Sequence, residues 1–69
     1  MMDEPATLFA QAKTLHKAGR LAEAIALYAR AAELKPDYAE AHNNLGNALG
    51  EARRFEEAVG SLQRAAVLR

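Results

Sequence analysis

The 69-residue sequence predicts an all-α fold, in which two tandem helix-turn-helix units lie side by side as antiparallel hairpins of an α-α superhelix, a solenoid of four helices. Three observations predict it. Sliding the chain against itself by 34 residues aligns Leu15 with Leu49, Ala18 with Ala52, Arg20 with Arg54, Glu23 with Glu57, Ala24 with Ala58, Arg30 with Arg64, Ala31 with Ala65 and Leu34 with Leu68. A fixed period of this length marks one supersecondary unit written twice. Within each unit the apolar residues recur at steps of three and four, the spacing of one helix face. Helix breakers fall between these stretches, so the joints are only a few residues long and neighbouring helices run antiparallel.

The first helix is expected near 5–18, with Asp3 and Pro5 at its start and Gly19 just past its end. The second, near 21–34, carries Leu21, Ala24, Ile25, Tyr28, Ala31, Ala32 and Leu34 on its buried face, and Pro36 stops it. The third is expected at 38–52, opened by Asp37 as cap with Glu40 three residues on, as in a capping box. It reads as a helix against its own propensity. Gly46 and Gly50 each cost about 1 kcal/mol relative to alanine, and Asn43, Asn44 and Asn47 are weak helix formers. Gly46 and Ala12 are therefore expected to face Ala58 and Ala24 across each hairpin, where a missing or minimal side chain lets two backbones close up. The fourth helix, near 55–68, begins with Glu56 and Glu57, which suit the positive end of its dipole. Gly60 has no packing use on the outward side. The whole chain reads as one domain, with repeat 1 at about 5–38 and repeat 2 at about 39–69, truncated before its closing proline as in a piece of a longer repeat protein.

Composition narrows the function. Alanine supplies about half of the 51% hydrophobic content, so the core is thin and made of helices at close range. With nine basic and nine acidic residues, no net charge draws the chain to nucleic acid or an anionic membrane. There is no cysteine for a disulfide or thiolate site. No apolar run reaches signal or spanning length, and a cytoplasmic location is the simplest expectation. His16 and His42 lie in different units with no metal-ligand spacing around them, and Ser61 and the two threonines have no base at a recognisable spacing. No catalytic residues, metal or cofactors are expected, and His42 reads as a partly buried packing residue.

The 34-residue hairpin period, with Leu45, Gly46 and Leu49 followed by Phe55, Ala58, Leu62, Ala65 and Leu68, resembles the tetratricopeptide repeat family. The first unit matches through Ala12, Leu15, Leu21, Ala24, Tyr28, Ala31, Leu34 and Pro36. Leu8 and His42 stand where the family often has tryptophan, and Gln11 where it has leucine. The wording "HNNLGNAL" is also similar to repeats of O-linked N-acetylglucosamine transferase, with Asn44 at the place of an asparagine ladder that Ala10 breaks in the first unit. The resemblance implies a protein-interaction module whose concave groove takes an extended peptide or a partner helix. Carried over by position, that groove presents Phe9, Lys13, His16 and Lys17 from the first unit and Glu40, Asn43, Asn44, Asn47, Gly50 and Glu51 from the second. Lys13, His16 and Lys17 would attract an acidic peptide, although Phe9 replaces the first lysine of the family's carboxylate clamp. A substrate-guiding region of a larger enzyme such as a glycosyltransferase, or a self-stacking assembly unit, are the alternatives. Repeat arrays expose an apolar face at an uncapped end. Val59, Leu62 and Ala66 of the last helix are accordingly expected to mediate self-association into a homo-oligomer.

Overall fold

The computed structural model describes residues 4–68 and contains four helices in chain order, α1 (Glu4–Lys17), α2 (Leu21–Leu34), α3 (Ala39–Glu51) and α4 (Phe55–Leu68). Helices α2 and α4 have the bounds expected from the sequence. Helix α1 runs one residue earlier than expected, and α3 is one residue shorter at each end. The expected contribution of Asp3 lies outside the described residues. Helix α1 packs on α2, α2 on α3 and α3 on α4, so two antiparallel hairpins lie side by side in a slab with Cα extents of 36 × 29 × 14 Å.

Both hairpin turns close in the same way. Past α1 the Gly19 N–H bonds to the His16 carbonyl at 3.0 Å and the Arg20 N–H to the Leu15 carbonyl at 2.9 Å. This reciprocal pair is the Schellman motif, which needs a left-handed residue, and Gly19 supplies it at φ 80°. The second repeat makes the same two bonds, Arg53 N–H to Gly50 O at 3.0 Å and Arg54 N–H to Leu49 O at 2.8 Å. There the left-handed position is held by Arg53, at φ 66°. The period extends to the surface, where Arg20 pairs with Glu23 at 2.6 Å and Arg54 with Glu57 at 2.7 Å over the first turns of α2 and α4.

The capping box expected at Asp37 is not formed. The chain leaves Lys35 in a turn closed by the Tyr38 N–H on the Lys35 carbonyl at 2.9 Å, and Tyr38 itself is the N-cap residue, with no side-chain cap bond. The turn closes on Lys35, the C-cap residue of α2, and the helix begins one residue later than a cap at Asp37 requires. Leu34, expected on the buried face, is 40% exposed.

The core is small-residue packing with a few large side chains set in it. Ala12, Ala24, Ala31, Ala41 and Ala48 are fully buried, with Phe9, Ile25, Tyr28 and Leu49 among them. Gly46 has the use expected of it. A Cβ built there would lie 2.6 Å and 2.7 Å from Leu62 Cγ and Cδ2 and 3.2 Å from the Ala58 carbonyl oxygen. The backbone of α3 thus comes close to that of α4, with Leu62 lying over the bare Cα. Gly60 meets nothing within 4 Å. His42 is 5% exposed, and its Nε2 bonds the Pro36 carbonyl at 2.9 Å. A ring in the place of an apolar side chain therefore satisfies a turn carbonyl while filling the core.

Candidate functional site

The two first helices of the hairpins, α1 and α3, run parallel and form one wall of the slab. Between them the structure gathers Lys13, His16, Lys17, Asn44 and Glu51 around an open hollow of about 340 Å³ whose floor is Tyr28. Tyr28 is fully buried. Its O–H donates to His16 Nδ1 at 3.1 Å, and the Asn44 amide lies on the same side of the hollow, where it favours the ionised phenol. His16 then presents its Nε2–H to the Glu51 carboxylate, 3.0 Å away. This assignment satisfies every group, since a carboxylate only accepts and a neutral imidazole has one donor and one acceptor. Burial pushes the Tyr28 phenol above its ordinary pKa; the Asn44 amide works against this shift, and the negative charge of Glu51 adds to it.

The network joins the repeats. His16 and Tyr28 belong to the first, Asn44 and Glu51 to the second, and no local spacing announces the contact, because the partners are 12 and 35 residues apart. The only hint in the sequence is that Glu51 sits one residue beyond His16 plus the repeat period.

Phe9 was expected to face the groove and does not. It is 6% exposed, with its ring 5.7 Å from that of Tyr28 and 5.1 Å from that of Tyr38, the residue that leads into α3. The turn into α3 thus closes over a position that the motif alone assigns to a binding surface. Lys13 lies on the outside of this cluster, with Nζ 5.0 Å from the centre of the Phe9 ring. That cation–π contact holds the ammonium at the rim of the wall.

The remaining expected residues divide between two places. Asn47, Gly50 and Glu51 line a second, larger hollow of about 700 Å³ together with Phe55, Val59 and Leu62 of α4. Glu40 and Asn43 lie nearer the start of α3, beside Ala65. Asn43, Asn47, Lys13 and Lys17 are exposed, whereas Asn44 and His16 are half-buried. The sequence reasoning missed Tyr28 as the anchor of the site, since at helical spacing it is indistinguishable from any other core aromatic. Among the described residues no group of three or more His, Cys, Asp and Glu could hold a metal ion, and no helix is long and apolar enough to cross a membrane.

Stacked helical hairpins with a polar wall and an alanine-rich spine define a repeat-type module, a class that acts by presenting surface. The family model described as TPR repeat matches residues 12–52, spanning the second half of α1 to just past α3. The chain belongs to the TPR repeat family, whose repeats generally mediate protein–protein interaction and are typically non-catalytic. A search of curated proteins finds no match to it.

Proposed function

We propose that the α1–α3 wall binds an extended peptide segment of a partner protein, with Lys13 and Lys17 meeting an acidic side chain and Asn43 and Asn47 meeting peptide amides. The observation that carries this reading is the division of labour along the wall. Phe9, His16 and Asn44 are held by internal contacts, while Lys13, Lys17, Asn43 and Asn47 stand exposed on the two helices so fixed. A rigid base with free donors and acceptors binds at a smaller entropic cost than a mobile one. Glu40 and Glu51 add acceptors at the α3 side, so the wall carries both signs of charge and suits a peptide of mixed polarity.

The alternative, that these repeats guide substrate into an attached enzyme such as a glycosyltransferase, leans on Asn44 as a free ladder amide. Its half-buried place beside Tyr28 favours the simpler reading. An array of acidic, basic and neutral peptides of about 15 residues, probed with the full chain, tests the proposal. Acidic sequences should be retained by the native chain and lost by Lys13→Glu and Asn47→Ala, while Arg30→Glu on α2 leaves them bound. Indifference to Lys13→Glu contradicts it.

A further inference from the structure

The internal repeat shows which apolar face is open among the described residues. On α2 the stripe Leu21, Ile25, Tyr28, Ala32 lies under α3, and Ile25 is 7%, Tyr28 0% and Ala32 8% exposed. Moved on by one period, the same stripe on α4 is Phe55, Val59, Leu62, Ala66. Here Phe55 is 59%, Val59 53% and Leu62 38% exposed, and Ala66 is exposed as well. The stripe has a spacing of four, three and four residues, which is the seam of a helix pair.

The other end of the slab cannot serve as the missing cover. The α3 stripe that closes the first repeat is Ala41, Leu45, Ala48, Ala52, buried or half-buried throughout. Its counterpart on α1 is Thr7, Gln11, Thr14, Ala18, of which Gln11, Thr14 and Ala18 are exposed. Stacking one copy's α1 on another's α4 would bury the Gln11 amide against Val59 and Leu62 at the cost of its desolvation, whereas the Thr14 hydroxyl keeps its bond to the Ala10 carbonyl. Head-to-tail growth is therefore disfavoured.

The α4 seam, by contrast, is complementary to itself. In an antiparallel pairing centred between Val59 and Leu62, the large Phe55 meets the small Ala66 of the second copy, and Val59 meets Leu62. We propose that α4 pairs with α4 of a second copy across a two-fold axis, taking the antiparallel place that α3 holds over α2. An isologous contact of this kind closes at the dimer. A single-helix seam lies at the small end of specific interfaces, so the dimer is weak and its population depends on concentration. The seam borders the hollow that Asn47, Gly50 and Glu51 line together with Phe55, Val59 and Leu62, so dimerisation and peptide binding meet at that edge of α3, and the dimer is tested without peptide.

Sedimentation of the full chain over a wide concentration range tests it. The mass should rise from monomer to dimer and stop there; Val59→Glu should leave a helical monomer by circular dichroism, and Thr14→Glu should leave the dimer intact. The chain has no cysteine, so single cysteines report orientation. A mixture of Phe55→Cys and Ala66→Cys chains should cross-link under mild oxidation. Ala66→Cys alone should not, because eleven residues of helix rise hold its two copies about 16 Å apart. A monomer at every concentration, growth past the dimer, association that survives Val59→Glu, or efficient Ala66→Cys self-linking would each overturn the proposal.

Discussion

Replacing Gly46 by alanine tests the close approach of α3 and α4. Helix propensity alone favours the change by about 1 kcal/mol. Against it, the new methyl would sit 2.6 Å from Leu62 Cγ and 2.7 Å from Cδ2, so Leu62 must leave its seat. Leu62 is 38% exposed, and full burial of a leucine is worth about 1.5–3 kcal/mol, so expelling it forfeits roughly 1–2 kcal/mol. The Ala58 carbonyl, 3.2 Å from the same methyl, asks in addition for a few tenths of an ångström between the helices and loosens contacts along the hairpin. The net expectation is a loss of about 1 kcal/mol, a fall in Tm of about 4–8 °C in a domain of this size. With Leu62→Ala already in place, only the carbonyl remains, and Gly46→Ala should be neutral or mildly stabilising. Thermal unfolding of the four chains by circular dichroism, at one low concentration, closes the cycle. A higher Tm for Gly46→Ala alone, or an equal effect in both backgrounds, would refute the reasoning.

The two turns offer a matched pair of tests. Gly19→Ala forces a side chain into the left-handed region and should lower stability by about 1 kcal/mol, whereas Arg53→Gly relieves that strain and should raise it by about 0.5–1 kcal/mol, both read by urea unfolding. Gly60→Ala meets open space within α4 and should add about 1 kcal/mol in the same assay. Tyr28→Phe keeps the ring and loses the hydroxyl bond to His16, a loss of about 1 kcal/mol near neutral pH. Because the folded chain holds the phenol above its ordinary pKa, the unfolded chain ionises first. The Tyr28 contribution is whole below about pH 10 and is lost as pH climbs through the raised value, so native stability should fall there more steeply than that of Tyr28→Phe.

The fold was legible because its signal is repeated. One 34-residue period places Gly19 and Pro36 at helix ends, and it sets Gly46 opposite Ala58, where the structure has the backbones close. Local cap chemistry was less legible, since Asp37 has the right type and spacing but the turn is closed by the Tyr38 N–H on the Lys35 carbonyl and Tyr38 becomes the N-cap residue. The wall was legible only as a set of positions. Phe9 occupies a groove position yet is covered by Tyr38 at the entry to α3, and His16 finds Tyr28 and Glu51 through tertiary geometry that no spacing encodes. Exposure at a repeat position depends on what the next repeat places over it, and for α4 that information lies outside its own hairpin.

The most direct test of a binding wall is a backbone amide titration by NMR of the full chain with the strongest peptide from the array. Shifts should gather at Lys13, Lys17, Asn43, Asn47 and Glu51, with Arg30, Glu33 and Arg64 unmoved. Shifts centred on α2 or α4, or binding that leaves Lys13 and Asn47 untouched, would contradict the assignment of recognition to α1 and α3.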